Sequence, residues 1–191
     1  MYLSVVTPPV SYGVTLTEAK AQCRLLDADT THDTLLTSLI AQASATIDTM
    51  TGCLTAIHVM QTTLDGFPTA EMELGVYPVT AITSLAYDDV DGDAQTLTAD
   101  VDYYTGLSSM YPKLYPVTAW PGTKAGKPGT VRVQFIAGYT TLPDDLKLAI
   151  LMRVSELFNN PSESTSDYDA NPTINTIKAI VGPYRSRWLA K

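Results

Sequence analysis

The sequence predicts an α+β fold, with a small helical bundle formed by both ends of the chain and an antiparallel β-rich insertion between them. Two observations carry this prediction. Apolar residues recur at helical spacing within residues 33–51 and 143–158. Between these segments, β-branched residues are frequent, and Val131, Val133 and Phe135 alternate with polar residues as in a strand with one buried face.

The helices have recognisable ends. Thr15 or Thr17 is placed to cap the first helix. Gly52 supplies a stop for the second helix, and Pro143 suits the first turn of the third. The predicted helices cover residues 16–26, 33–51, 143–158 and 173–181.

These elements give the domain organisation. We expect a single domain over residues 16–182, interrupted by the β-rich insertion at residues 56–137. Residues 1–15 are expected to form an extended N-terminal arm, because two consecutive prolines within it oppose helix formation. Residues 183–191 follow the domain as a C-terminal tail.

The composition is that of a soluble globular protein. Of the 191 residues, 45% are hydrophobic and 17% charged, and no apolar run approaches the roughly 18–20 residues that cross a bilayer. Cys23 and Cys53 both lie in helical patterns, which favours the interpretation that they are reduced, buried thiols. A disulfide between them is the alternative if the two helices pair.

Charge is unevenly distributed along the chain. The net charge of −8 argues against broad nucleic-acid binding, which needs a basic face. Residues 1–177 hold 8 of the 12 Lys and Arg residues and all 20 acidic ones, so residues 178–191 carry 4 basic residues and no acid. An acidic body with a short basic, aromatic tail is typical of a protein that docks onto a partner.

No catalytic or metal-binding set is evident. His32 and His58 lie on different predicted elements, without the neighbouring ligands of a zinc site. No Ser or Cys lies in a nucleophile-elbow context, and the glycine-rich segment with Lys124 and Lys127 lacks the order of a phosphate-binding loop. We therefore expect neither an enzyme, nor a cofactor, nor a metal.

The acidic run Asp88–Asp93 admits a calcium interpretation. Counting from Asp89, acids occupy positions 1, 3, 5 and 12 of a twelve-residue loop. Position 6, however, is Ala94 instead of glycine, and strands flank the run where helices are required. A β-hairpin turn at Asp91–Gly92 with a solvated acidic tip is therefore favoured.

Two loops are candidate interaction elements. Asp65–Pro68 reads as a turn with Phe67 packed inward, and the alternative is a recognition loop. The loop containing Lys124 and Lys127 is expected to be flexible and to project toward a tail-side partner or a channel, between which the sequence does not choose.

The C-terminal tail is the preferred candidate site. Aromatic and Arg residues anchor protein interfaces most often, and here they alternate within five residues. Gly182 and Pro183 would form a hinge that lets the segment reorient on docking. The predicted docking residues are Tyr184, Arg185, Arg187 and Trp188.

Two other interpretations of the tail stay open on physical grounds. In the first, the tail is a terminal helix folded back on its own domain. Alternatively, its cations contact DNA, although four charges are few for that purpose. These cations are Lys178, Arg185, Arg187 and Lys191.

The order and spacing of several short motifs resemble a known family, the head–tail connector (adaptor, or head-completion) proteins of long-tailed bacteriophages, prophages and related gene-transfer particles. The resemblance spans about residues 15–188. The motifs are Thr17–Lys20, Leu64–Pro68, Tyr77–Val79, Asp91–Gly92, Trp120–Pro121, Phe135–Tyr139, Leu142–Pro143 and Pro183–Arg185.

The resemblance implies a structural role without catalysis. The family implies a ring of identical subunits, a dodecamer in the particle, beneath the portal protein at the capsid vertex. DNA passes through such a ring as cargo, and tail-side connector or stopper proteins assemble onto it. The resemblance further implies that the C-terminal segment engages the portal, with the protein made in the host cytoplasm and located in the virion, without membrane contact.

The main alternative from another class is a non-catalytic α+β module that binds a ligand or a carbohydrate in an unrelated role. A shared fold by itself does not exclude it.

Overall fold

The computed structural model describes residues 1–160 and 172–185 and confirms the α+β class. The chain divides into two compact units. The β unit comprises residues 1–10 and 57–138, and the helical unit comprises residues 11–56 together with the described residues from Tyr139 onward.

The β unit contains two antiparallel sheets. The larger has five strands in the order β1-β2-β8-β4-β5, and the smaller has three in the order β3-β7-β6. The strands are β1 (Tyr2–Thr7), β2 (His58–Leu64), β3 (Met72–Glu73), β4 (Val79–Asp88), β5 (Ala94–Leu97), β6 (Tyr103–Gly106), β7 (Lys113–Pro116) and β8 (Val131–Ala137).

The core of the β unit follows from the alternation along β8. Val131, Val133 and Phe135 are fully buried, whereas the residues between them are half-buried on the opposite face. β8 pairs with β2 on one side and β4 on the other, so its buried face is central to the five-stranded sheet. The buried hydroxyl of Thr62 on β2 donates to the Leu74 carbonyl just after β3.

The helical unit has four helices in its described part: α1 (Leu16–Gln22), α2 (Asp33–Thr51), α3 (Asp144–Asn159) and α4 (Pro172–Val181). Thr15 and Glu18 form a capping box at the start of α1. Gly52 ends α2 in the left-handed conformation with φ 73°, which costs glycine little.

The apolar stripes of the helices form one core. Ile47 of α2, Ile150 of α3 and Ile177 of α4 are almost completely buried in it. Gly13 is required where the chain approaches α3, because a Cβ there would lie 2.5–2.8 Å from side-chain atoms of Leu142.

The structure differs from the sequence prediction at three places. The first helix ends at Gln22 instead of residue 26, because Arg24 takes a positive φ of 60° and reverses the chain. The arm predicted at residues 1–15 contains β1, which pairs with β2 along the edge of the larger sheet. The predicted single domain forms two compact units, because residues 57–138 and β1 bury a core of their own.

Candidate interaction surfaces

The described end of the chain is a short 3₁₀ turn, Gly182–Tyr184, directly after α4. Gly182 and Pro183, the predicted hinge, are exposed, and nothing surrounds the position of a Cβ on Gly182. Tyr184 is half-buried against the helical core, and its carbonyl accepts the thiol hydrogen of Cys53 at 3.1 Å. Its hydroxyl lies 3.5 Å from Oδ2 of Asp145.

These contacts hold Tyr184 against the helical unit. Tyr184 is held by its own unit, whereas Arg185 is exposed. Of the four predicted docking residues, Tyr184 and Arg185 are among those that the structure describes. Arg187 and Trp188 lie outside the described residues.

Lys124 and Lys127 contact the β4–β5 hairpin within the β unit. The Lys124 amine donates to the Asp91 carbonyl at 3.1 Å, and its backbone N–H donates to the Asp88 carbonyl. The Lys127 amine lies 2.6 Å from Oδ2 of Asp88. The loop predicted to project freely is therefore joined to the hairpin at three points.

Asp88 is the centre of this arrangement. Its buried carboxylate also receives a two-point contact from Arg132 of the neighbouring strand β8, with the shorter N–O distance 2.7 Å. The hydrogen bonds from Arg132 and Lys127 hold the pKa of Asp88 far below its usual range. The carboxylate thus stays ionised and pairs with two cations of the β unit.

The acidic tip of the hairpin has the geometry of a turn. Oδ1 of Asp89 accepts the backbone N–H groups of Asp91, Gly92 and Asp93 at 3.0–3.1 Å, and Oδ2 accepts the Gln95 amide. This carboxylate is therefore used to close the hairpin. Across residues 1–160 and 172–185, no cluster of three or more His, Cys, Asp or Glu residues is arranged to hold a metal ion.

Phe67 of the Asp65–Pro68 turn stacks on the Trp120 ring, with centroids 4.8 Å apart and planes 3° from parallel. It also meets the Tyr87 ring edge-on at 5.5 Å. The Trp120 indole N–H donates to the Ala70 carbonyl at 2.6 Å. The turn is thus fixed by aromatic packing, as the inward-packing interpretation of Phe67 expected.

The cysteines and histidines take structural positions. Cys23 and Cys53 are free thiols, and burial raises the pKa of Cys53 to about 11, which keeps the thiol protonated and unreactive. His32 packs edge-on against Phe158 with ring centroids 5.3 Å apart. Among the described helices, none is both long and apolar enough to span a membrane.

Two groups of exposed apolar residues in the β unit were missed by sequence reasoning. One is on β1, whose residues were assigned to an arm. The other surrounds the β6–β7 hairpin. The lack of charged side chains in residues 1–17, which is unusual for a chain with 20 acids, is the signal that would have found the first group.

No protein-family model and no curated protein matches the chain. Its fold does match solved structures. A chain in the virion of a native gene transfer agent particle is similar at 21% identity and TM-score 0.81. A chain in the neck of the empty particle, computed with C6 symmetry, is similar at 20% sequence identity and a TM-score of 0.79. A chain in the neck of the native particle, computed with C12 symmetry, is similar at 21% identity and a TM-score of 0.75. Each match covers 97% of this chain and 96% of the other, so this protein shares its fold, almost from end to end, with chains of gene transfer agent particles.

Proposed function

We propose that this protein is a structural subunit of the neck of a phage-like particle and that it acts there as a head–tail connector. The observation that carries the proposal is the shared fold over 97% of the chain with chains from particle necks. In this proposal identical subunits form a ring beneath the portal protein, DNA passes through the ring, and tail-side proteins assemble onto it.

The cyclic symmetry used for the neck neighbours, C6 and C12, supports a ring. A closed ring repeats one contact many times, so weak pairwise contacts suffice when a portal holds the subunits in place. The net charge of −8 supports a passage that does not retain DNA, because an acidic surface repels phosphates. The function needs no turnover and no cofactor.

The C-terminal tail supports portal docking. Tyr184 ties the chain to the helical core, and Arg185 is exposed immediately beyond it. In the proposal Tyr184 sets the position from which the tail departs. Arg185, Arg187 and Trp188 then make the contacts with the portal, since Arg and Trp are enriched among interface anchors.

Two truncations separate docking from folding. Removing residues 186–191 keeps Tyr184 in place, so the thermal unfolding midpoint should stay that of the full chain while portal binding falls by roughly tenfold or more. Removing residues 183–191 should abolish binding and also lower the midpoint, because the Tyr184 packing is lost. Binding is measured by pull-down and calorimetry with the portal protein of the same particle.

Point variants provide the matched control. Trp188→Ala should weaken portal binding, whereas Lys178→Ala on α4 removes a nearby cation outside the proposed contact and should leave binding unchanged. Equal portal binding by the full chain and the 186–191 truncation would refute the docking assignment.

Location in a particle tests the function itself. Particles purified from the producing cell should contain this chain, and a reconstruction should place it between the portal and the tail. Purified particles that lack the chain would refute the proposed function.

A further inference from the structure

The β unit carries two apolar patches. We define the β1 patch as Met1, Tyr2, Val5 and Val6. We define the hairpin patch as Val101, Tyr104, Tyr115 and Val117. All eight side chains are between 43% and 70% exposed, which is high for residues of this size.

The two patches include strands at different sheet edges of the β unit. β1 and β5 are the two edges of the five-stranded sheet, so four strand spacings separate them. The Met1 side chain lies against Gly75, next to β3, which is one edge of the smaller sheet. The other edge of that sheet is β6, joined to the β5 side through a bridge between Ala99 and Tyr103.

The β1 patch includes a strand edge that is open to pairing. Within the described part of the chain, β1 pairs only with β2, which leaves one of its backbone edges without a strand partner, whereas β6 pairs with β7 and is bridged at Tyr103 to Ala99. Natural edge strands are usually protected by charged side chains or proline. β1 has neither, and a register shift between Val5 and Thr7 is its only irregularity.

The net charge of the chain indicates that the partner that docks on these patches is a second copy of the same chain. Two subunits that each carry −8 repel one another wherever their acids meet, so identical copies associate most easily at uncharged surfaces. The β1 patch lies in residues 1–17 and has no charged side chain. Tyr104 and Tyr115 face each other across β6 and β7, and Lys113 pairs with both of the nearby acids Glu71 and Glu73, which leaves one net negative charge there. Asp100 and Asp102 flank Val101, so the hairpin patch has acids at its rim and meets least repulsion against the β1 patch, which has none.

We propose that the β1 patch of one copy docks against the hairpin patch of the next. A contact between two different surfaces of the same unit is head-to-tail, the type that generates rings when the rotation closes. The inference rests on the proposed ring function and supplies the surfaces that would form it. Tyrosines in the hairpin patch bring a large apolar area together with hydroxyl groups that can pair with the open β1 edge.

The test uses charged variants of the tag-free full chain. Tyr2→Glu disables the β1 patch, and Val101→Glu disables the hairpin patch. Val90→Glu adds the same charge to an equally exposed position of the β unit outside both patches. Sedimentation velocity and light scattering follow self-association up to the solubility limit, and thermal unfolding checks that each variant is folded.

Each patch variant alone should self-associate roughly tenfold or more weakly than the unaltered chain, whereas Val90→Glu should resemble the unaltered chain. The two patch variants mixed in equal amounts should form a dimer and nothing larger. In that mixture only one contact is intact, between the hairpin patch of Tyr2→Glu and the β1 patch of Val101→Glu. A two-fold symmetric contact, in which each patch docks against the same patch of the other copy, would not give a dimer that requires both variants.

Failure of the inference is distinguishable from failure of the proposed function. Rings that form as well from Tyr2→Glu or Val101→Glu as from the unaltered chain overturn the surfaces assigned here while leaving the connector function intact. A chain that stays monomeric to its solubility limit, or a mixture that shows no dimer, also overturns the inference. Absence of the chain from purified particles removes the proposed function itself.

Discussion

Phe67 joins parts of the β unit that are distant in sequence. Its ring stacks on Trp120 and meets Tyr87 edge-on, and the Trp120 indole is in turn bonded to the Ala70 carbonyl. Stacked aromatic pairs contribute about 0.5–1.5 kcal/mol beyond the area they bury. One half-buried side chain therefore holds the turn after β2, the end of β4 and the segment after β7 together.

Phe67→Ala should lower the free energy of unfolding by about 2 kcal/mol, less than for a fully buried Phe because the ring is only half-buried. The same change should shift the Trp120 fluorescence to longer wavelength as water reaches the indole. The measurement uses a Trp188→Phe background, in which Trp120 is the single remaining tryptophan. Phe67→Tyr keeps the stacked ring and should leave the emission unchanged; a red shift there, or none in Phe67→Ala, would contradict the assignment.

At the scale of single residues, the sequence predicted local turns but did not predict contacts between distant side chains. The turn at Asp65–Pro68 follows from local rules, since Gly permits backbone conformations that other residues avoid and Pro fixes φ. The contacts of Lys124 and Lys127 with Asp91 and Asp88 span more than 30 residues, and no local pattern encodes them. The sequence therefore predicted a flexible loop, whereas in the structure the amines of both lysines are paired.

Helix α1 is stabilised at its start by the Glu18 carboxylate. It accepts the Thr15 backbone N–H, and Oε1 pairs with the Lys147 amine of α3. The hydrogen bond from Lys147 is the largest cause that lowers the pKa of Glu18, from 4.5 to about 2. A single carboxylate thus connects the cap of α1 to α3.

This lowered pKa predicts a pH dependence. Because the folded pKa lies below the unfolded one, the stabilisation is complete above about pH 4.5 and is lost as the pH falls toward 2. Glu18→Gln should therefore cost about 1 kcal/mol at pH 7, a value reduced for the partial exposure of the pair, and progressively less toward pH 2. Chemical unfolding at several pH values measures this.

A double-mutant cycle isolates the ion pair from the cap. Lys147→Met alone and combined with Glu18→Gln should give a coupling energy that declines with falling pH. A coupling energy that stayed constant between pH 7 and pH 3 would contradict the electrostatic origin.

At the scale of elements, periodicity located the long helices well. Apolar residues of α2 and α3 at helical spacing are those that the structure buries, among them Leu36, Ile47 and Ile150. The end of α1 was missed because Arg24 takes a left-handed conformation that propensity does not indicate. β1 was missed because its partner, β2, lies more than 50 residues away.

The charge of the whole molecule predicts how salt acts on assembly. At low ionic strength the Debye length exceeds 10 Å, and subunits of charge −8 repel one another across their whole surfaces. Salt screens this repulsion but changes apolar docking little.

Self-association should therefore strengthen between about 20 and 300 mM monovalent salt. Light scattering at fixed protein concentration across a salt series measures it. Val90→Glu, which adds one negative charge outside both patches, should show a steeper dependence on salt than the unaltered chain. Association that weakens with added salt would indicate contacts made by opposite charges instead.

The path of the chain through the β unit determines which residues are needed to produce this unit as a separate protein. One edge strand of the larger sheet comes from residues 2–7, and the other strands come from residues beyond position 57. A gene fragment that encodes residues 57–138 alone would thus omit β1. The edge of β2 that pairs with β1 would then be exposed, which favours aggregation. An autonomous version needs the missing strand restored, either as a synthetic peptide or by fusing residues 1–10 to the fragment through a flexible linker.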